Sequence, residues 1–225
     1  MAATKAQRWG ILVILVVLVV GTLGSFAVLG IDMRNQADEA ARQQQLLTEY
    51  DDKVSEYQKK LDAQAAELSA VHYATFKPYE SRVAEFDRDG VTEMKVEDLV
   101  VGTGAEIGDD SSFSAYYIGW NPKGKVFDQS IDGDKLKSPL PVSPSLKEAS
   151  LIEGWKEGMK GMKIGGIREI SIPSDKAYGE QGQGDDIPPN TPIKFVVMAI
   201  ESPEEIPQPE YSPELLQMMM TRGTY

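Results

Sequence analysis

Cysteine is absent from this sequence, histidine occurs once, and positive charge is scarce. Without cysteine among the 225 residues, disulfide bonds, thiolate nucleophiles and cysteine-based metal sites are excluded. Because His72 is the single histidine, a Ser-His-Asp triad or a multi-histidine metal site is strongly disfavoured. The formal net charge of −12 argues against nucleic acid as a partner, since such binding needs a basic surface.

Charged residues are missing from Trp9 to Ile31, where most positions are Ile, Leu or Val. This run is long enough to cross a bilayer core of about 30 Å as a helix. A cleaved signal peptide is the alternative, but its apolar region would be only about 7 to 15 residues long. Lys5 and Arg8 precede the run, and mixed charges follow it. We therefore expect a signal anchor over 9–31, with residues 1–8 in the cytoplasm and the rest of this single-pass cell-membrane protein outside.

Glycine and proline are also missing from residues 33 to 74, which predicts a long helical stalk over 32–78, ended by Pro78. Two series of mostly apolar residues recur every seven positions: Leu47, Val54, Leu61 and Leu68, and Tyr50, Tyr57, Gln64 and Val71. This is the a/d heptad pattern of a coiled coil. Two interpretations fit it: a parallel coiled coil that forms a homodimer, or a single helix laid against the following domain.

Residues 81–202 are predicted to form one α+β domain. The alternating segment from Ser112 to Trp120 indicates a strand, and "NPKG" and "KVFDQS" after it indicate a turn and a returning strand. "IREISI" and "IKFVVMAI" indicate two more strands, with a long loop rich in glycine and proline between them. About five mostly antiparallel strands therefore surround one short helix.

That helix, in "LIEGWKEGMKGM", combines a buried face with three glycines. Ile152, Trp155, Met159 and Met162 recur at spacings of three and four, as on one helical face. Gly154, Gly158 and Gly161 lie among them, although each glycine costs about 1 kcal/mol relative to alanine in a helix interior. The periodicity alone makes Trp155 a core residue and leaves the glycines unexplained.

Five motifs in residues 92–202 resemble the FK506-binding-protein (FKBP) type of peptidyl-prolyl cis-trans isomerase. They are "YYIGW", "GKVFDQS", "LIEGWKEGMKGMKIGG", "IPSDKAYGEQGQG" and "IPPNTPIKF", in the family's order. The resemblance implies a curved antiparallel sheet wrapped on the short helix, with Trp155 as the floor of an apolar pocket. It also implies isomerisation of X-Pro bonds in polypeptide clients, without a metal or another cofactor, and binding of FK506-like macrolides.

The resemblance also assigns the site. The expected catalytic residues are Tyr117, Phe127, Asp128, Ile152, Trp155, Tyr178 and Phe195, and the expected substrate-binding residues are Leu140, Leu151, Asp186 and Ile187. The Tyr178 hydroxyl and the Ile152 N–H are expected to hold the substrate, while Asp128 orients its neighbours. An apolar pocket that strips water from the amide favours the twisted state over the planar, charge-separated one.

Two departures from the family pattern leave an alternative open. The arginine that often pairs with the aspartate after "FD" is missing near Gly133, so Asp128 needs another partner, for which Lys135 and Lys137 are candidates. Acidic Asp185 and Asp186 occupy the rim. The alternative function is a catalytically weak, membrane-tethered chaperone or peptide-binding module.

The last segment, 203–225, is predicted to lie outside the domain core. "SPEEIPQPEYSP" indicates a proline-rich connector. "SPELLQMMM" indicates a short helix with Ser212 as N-cap and Pro213 at the first helical position. Its apolar residues need cover from the domain, the stalk or a partner.

Overall fold

The computed structural model describes residues 33–222, and their side chains from 39 to 220. The predicted cytoplasmic segment 1–8 and the predicted membrane anchor 9–31 lie outside the described residues. No helix within 33–222 has both the length and the apolarity needed to cross a membrane. The chain forms two compact units, with described residues 33–51 and 211–222 in the first and 52–210 in the second.

Three α-helices and eight strands make up the described chain. The helices are α1 (Met33–Phe76), α2 (Glu153–Met159) and α3 (Pro213–Arg222). The strands are β1 (Lys95–Val100), β2 (Phe113–Trp120), β3 (Val126–Gln129), β4 (Ile131–Asp132), β5 (Lys135–Leu136), β6 (Leu140–Val142), β7 (Ile167–Ile172) and β8 (Ile193–Ile200). Short 3₁₀ helices follow α1 at Lys77–Arg82 and follow β7 at Ser174–Lys176.

The main sheet has six strands in the order β1-β7-β8-β2-β3, with β6 also paired to β2. Every strand pairing in it is antiparallel, and β4 and β5 form a separate two-stranded hairpin. The prediction of an antiparallel α+β domain around one short helix is confirmed. The predicted strands at 167–172 and 193–200 match β7 and β8, and β2 begins one residue later than expected.

Both faces of the sheet are buried, and the side chains of β2 belong to a different hydrophobic core on each face. Phe113 and Ala115 belong to the core that includes α2, whereas Tyr116, Ile118 and Trp120 belong to a second core on the other face. Because successive side chains of a strand point to opposite faces, a strand buried on both sides needs apolar residues at nearly every position. The sequence of β2 meets that requirement.

The end of α1 covers the second face of the sheet. Phe76 is fully buried there, and burying such a side chain contributes about 1.5–3 kcal/mol. Ser69 Oγ accepts a hydrogen bond of 2.8 Å from the N–H of Leu136, and the Tyr73 hydroxyl donates one of 3.1 Å to the Gly133 carbonyl. The domain core therefore includes residues that the sequence assigned to the stalk.

Within each unit, the C-terminal tail contacts α1. In the first unit, Tyr50 stacks on Tyr211 with ring centroids 4.3 Å apart. In the same unit Ser212 Oγ accepts the Leu215 N–H at 3.2 Å, which is the predicted N-cap of α3. In the second unit, Gln64 Nε2 donates to the Glu204 carbonyl at 2.7 Å. These contacts agree with a single helix laid against its own chain, and coiled-coil dimerisation stays a prediction.

Candidate functional site

Two of the three glycines in the helix motif let α2 approach β7 closely. A Cβ atom on Gly154 would lie 2.2 Å from Ile172 Cγ2, and one on Gly158 would lie 2.6 Å from Ile170 Cγ2. Gly161 has open space around it but a φ of +73°, which suits the residue just after a helix end. The close approach brings Trp155, which is only 3% exposed, onto the sheet.

Buried Arg168 on β7 fixes the C-terminal end of the same helix. Its Nη1 donates to the carbonyls of Gly158 at 2.8 Å and Lys160 at 2.9 Å. Its Nε and Nη2 bind the two carboxylate oxygens of Asp98 at 2.6 and 3.1 Å. The guanidinium thus satisfies carbonyls that the end of a helix leaves without partners. Sequence reasoning missed this residue.

Four aromatic rings form the centre of the site. The Trp155 ring lies 5.4 Å from Phe195 and 5.6 Å from Tyr117, at interplanar angles of 86° and 85°. Phe127 meets Phe195 at 5.5 Å and 85°. These edge-to-face contacts are a preferred geometry for aromatic pairs and are worth about 0.5–1.5 kcal/mol each beyond burial.

Gly119 on β2 gives the rings room to meet. A Cβ there would lie 2.4 Å from Phe195 Cε1 and 2.8 Å from two atoms of the Phe127 ring. Sequence reasoning gave Gly119 no role, although an isolated glycine inside a strand often marks a close approach of another group.

The remaining apolar residues expected at the site contact the same core. Trp155, Phe195 and Ile187 are buried in it. Around them lie half-buried side chains, those of Tyr117, Phe127, Leu140, Leu151, Ile152 and Tyr178. The nine apolar residues assigned from the sequence therefore all belong to the core on the α2 face of the sheet or pack against it, and the four rings form an aromatic patch within it.

Asp128 has a partner that the sequence did not suggest. The Tyr117 hydroxyl donates to its Oδ2 at 2.6 Å. Burial, and then this hydrogen bond, raise the pKa of Tyr117. The suggestion that Lys137 pairs with Asp128 was wrong, because Lys137 Nζ binds the Gln129 carbonyl at 2.9 Å instead. A tyrosine on the neighbouring strand thus supplies the hydrogen bond for which the missing arginine was the expected donor.

Two donors at the edge of the patch remain without protein partners. Within the described residues, neither the N–H of Ile152 nor the hydroxyl of Tyr178 meets an acceptor. Ile152 is the residue before α2, and its φ of −63° and ψ of 151° are extended rather than helical. Burial raises the pKa of Tyr178, and the negative charge of Asp128 adds to the shift, so the phenol stays protonated and able to donate.

The loop after β7 forms the rim, and side chains from elsewhere in the domain hold it. The Asp186 carboxylate pairs with Lys125, and Asn121 Nδ2 donates to the Asp186 carbonyl at 2.8 Å. Arg88 Nη2 donates to the carbonyls of Pro189 and Asn190, both at 2.9 Å. The negative charge of Asp186 at the rim is therefore balanced by the ammonium group of Lys125. Nothing in the local sequence pattern pointed to Lys125 or Arg88.

Comparisons with known proteins identify the family of the domain. Residues 104–200 match the family model for FKBP-type peptidyl-prolyl cis-trans isomerases. Over 102 residues the chain is 39% identical to the FK506-binding protein of Neisseria meningitidis serogroup A, which covers 45% of this chain and 89% of that protein. Over 111 residues it is 33% identical to a probable FK506-binding protein of Corynebacterium glutamicum, which covers 49% of this chain and 87% of that protein.

Among solved structures, the crystal structure of AtFKBP13 is 31% identical, with a TM-score of 0.43, and the similarity covers 49% of this chain and 93% of that one. Sequence identity over nearly the whole length of the bacterial relatives establishes the family. The chain belongs to the FKBP-type peptidyl-prolyl cis-trans isomerases and has the activity of that family, the interconversion of cis and trans peptide bonds that precede proline.

Proposed function

We propose that catalysis takes place on the aromatic patch around Trp155, with the proline ring of the substrate held among Tyr117, Phe127 and Phe195. The observation that carries this proposal is the combination of a buried aromatic base with two unengaged donors at its edge, the Ile152 N–H and the Tyr178 hydroxyl. The patch binds the ring, and the donors bind carbonyl groups of the substrate backbone.

The mechanism uses binding alone. Rotation about a peptide bond meets a barrier of about 18–20 kcal/mol, mostly from amide resonance. The planar amide is more charge-separated than the twisted one, so an apolar environment destabilises the planar form relative to the transition state. The Tyr117–Asp128 hydrogen bond holds Tyr117 in place against Trp155 while this happens. Asp128 acts as a positioning residue and transfers no proton.

A pair of substitutions on one strand tests the location of the site. Phe127 contacts the patch, whereas its neighbour Val126 packs on the opposite core. Phe127→Ala should lower kcat/KM on a short X-Pro peptide more than tenfold, equivalent to about 1.4 kcal/mol of transition-state binding. Val126→Ala should leave kcat/KM within about twofold of wild type, which is about 0.4 kcal/mol. Equal losses for the two variants would reject this location for the site.

We also propose that the enzyme works outside the cytoplasm, tethered by the uncharged segment from Trp9 to Ile31. Lys5 and Arg8 before the segment support this orientation. Protease added to intact cells whose outer envelope has been made permeable should digest the isomerase domain. Protection until the inner membrane is lysed would reverse the topology, and recovery of the full-length chain in the soluble fraction would reject the anchor.

The proposed ligands are proline-containing clients of the extracytoplasmic space and FK506-like macrolides. The macrolide proposal rests on the names of the relatives and on the apolar patch. Homodimerisation through the stalk is a further proposal, supported by the heptad series of α1. Sedimentation of the full chain in detergent tests it, because a monomer at micromolar concentration would reject a stable coiled coil.

The competing proposal is a catalytically weak peptide-binding module. Its specific support is the exposed Asp185, two residues before Ile187 in the rim loop, which disfavours acidic clients and weakens the apolar edge. The pairing of Asp186 with Lys125 and of Asp128 with Tyr117 supports the enzyme over that alternative. Binding of unfolded clients without acceleration of X-Pro isomerisation would favour it over the enzyme.

A further inference from the structure

The proline-rich tail presents one side to the protein at every third residue. Pro203, Ile206, Pro209 and Ser212 are half-buried, and all the residues between them are exposed. The main chain of residues 203–211 makes no hydrogen bond to the main chain of any described residue. A period of three without internal hydrogen bonds is the pattern of a polyproline II helix, which proline favours by fixing its φ near −65°.

The surface that meets this side of the tail is on α1. In the second unit, Ile206 and Pro207 face Lys53, Glu56, Tyr57 and Lys60 of α1 across a groove of about 160 Å³, so the tail forms one wall of this groove. Aromatic-lined grooves are the usual partners of polyproline II segments, because a flat ring packs well on a proline ring. Tyr57 is the aromatic residue of this groove.

A main-chain contact lies one heptad further along α1. Gln64 Nε2 donates to the carbonyl of Glu204 at 2.7 Å. The acceptor of this bond is the main-chain carbonyl and not the Glu204 side chain. Any extended segment in the same position could therefore accept the same hydrogen bond from Gln64. An extended chain without internal hydrogen bonds leaves its carbonyls available for such contacts. The contacts of the tail with this part of α1 therefore involve its backbone and the side chains of Ile206 and Pro207.

The tail is lightly attached in this unit. Its contacting residues are only half-buried, and Lys60 of the groove is paired at 2.8 Å with Glu56 of the same helix. Within this unit the tail makes one hydrogen bond to α1, from Gln64 to the Glu204 carbonyl. If the tail covers this surface about nine-tenths of the time, the apparent affinity of an outside ligand falls about tenfold.

We propose that the α1 wall of the Tyr57 groove is a second proline-recognition site, separate from the isomerase patch and covered in the free protein by the chain's own tail. Its ligand in trans is an extended, proline-rich segment of a client polypeptide with apolar residues or prolines three apart, as in the tail. The enzyme would then hold proline-rich clients through a surface that performs no chemistry, and the tail would compete with them.

The test compares three full-length proteins in detergent. The face variant replaces the half-buried residues of the tail by Pro203→Ser, Ile206→Ser and Pro209→Ser. The matched control replaces exposed residues of the same segment by Glu205→Ser, Gln208→Ser and Glu210→Ser. The probe is a fluorescent peptide with the sequence of residues 202–212, and its binding is measured by anisotropy. Equal isomerase activity of the three proteins on a short X-Pro peptide shows that the domain is intact.

We expect the face variant to bind the peptide about tenfold more tightly than wild type or the control, because its tail no longer covers the α1 surface. Tyr57→Ala in the face variant should weaken peptide binding at least tenfold, and Gln64→Ala should weaken it several-fold. Gln64→Ala serves as the second test if Tyr57→Ala impairs folding. Isomerase activity should be unchanged in both, because neither residue belongs to the isomerase patch.

Three results would overturn the proposal. The first is equal affinity of the peptide for wild type, face variant and control. The second is peptide binding that is lost on Phe127→Ala and kept on Tyr57→Ala, which would mean that the peptide binds only at the isomerase patch. The third is a face variant that sediments as a dimer and binds no peptide, which would make a second copy of α1 the true partner of this surface.

Discussion

Gly154→Ala should destabilise the protein although alanine is the better helix former. Alanine would gain about 1 kcal/mol of helix propensity at this position. Its Cβ, however, would lie 2.2 Å from Ile172 Cγ2 and 3.0 Å from two further atoms of the same side chain, which is itself fully buried. Overpacking of a closed core typically costs about 1–3 kcal/mol and occasionally more. At such a separation we expect the upper part of that range.

The net loss in unfolding free energy should then be about 1–2 kcal/mol, which lowers Tm by about 2–8 °C in a domain of this size. Chemical and thermal unfolding of the full chain measure it. Gly108→Ala is the matched control, because a Cβ there meets nothing within 4 Å and its φ is not positive. We expect Gly108→Ala to stay within about 0.5 kcal/mol of wild type, as surface substitutions usually do.

The same experiment can show that the clash is specific. Ile172→Ala removes the atoms that a Cβ at position 154 would meet, at a loss of about 2–5 kcal/mol by itself. In the double variant the loss should be smaller than the sum of the two single losses by at least about 0.5 kcal/mol. An unchanged or raised stability of Gly154→Ala, or strict additivity with Ile172→Ala, would refute the argument that this glycine exists for close packing.

Four further predictions concern the helix cap, the tyrosines and the rim. Arg168→Met should lower the unfolding free energy by about 2–3 kcal/mol in urea titrations, because two carbonyls at the end of α2 lose a charged donor. A loss below about 0.5 kcal/mol would contradict the role of Arg168 as the cap of this helix. Tyr116→Phe should raise the unfolding free energy by about 1 kcal/mol at pH 7, because the buried hydroxyl meets no hydrogen-bond partner among the described residues. A lower unfolding free energy would show that the hydroxyl has a hydrogen-bond partner in the folded protein. Burial raises the pKa of Tyr116 to about 12, so the contribution of Tyr116 to stability should be constant up to about pH 10, the usual tyrosine pKa. Above that pH the unfolded chain ionises first and stability should fall, with a smaller fall in Tyr116→Phe. Asp186→Ile should improve kcat/KM for hydrophobic peptides and should strengthen FK506 binding. It should change the free energy of unfolding by less than about 1 kcal/mol, because the partner of Asp186, Lys125, is 63% exposed. Unchanged affinity for both ligands would show that Asp186 is not part of the binding site.

The sequence predicted those parts of the protein that depend on local pattern. Alternation located β2, the largely apolar segments "IREISI" and "IKFVVMAI" located β7 and β8, and helical spacing placed Trp155 on the buried face of α2. The family motifs brought Tyr117, Phe127 and Phe195 to the same patch. These predictions were possible because each depends on residues close together in sequence or on a family motif whose residues have known positions in the fold.

Contacts between residues far apart in sequence could not be predicted. Arg168 caps a helix from a neighbouring strand, and a lone arginine inside an apolar strand gives no indication of its partner. Tyr117 replaces the missing arginine as the partner of Asp128 because the two strands pair. The heptad series of α1 left two partners open, a second helix or the chain's own domain, and it did not indicate the extended tail that Gln64 and Tyr57 face in the structure. The a/d pattern predicts an apolar stripe along the helix but does not indicate which part of the protein, or which partner, covers that stripe.

Exchange NMR on a short X-Pro peptide tests the central claim most directly. Uncatalysed cis and trans forms interconvert in tens to hundreds of seconds at room temperature, so their signals do not exchange within the mixing time. Substoichiometric full-length protein should produce exchange cross-peaks between the two forms, and the Phe127→Ala protein should lose them while the Val126→Ala protein keeps them. Peptide signals that shift on binding to the wild-type protein without any exchange between cis and trans would contradict the account and leave a binding module in its place.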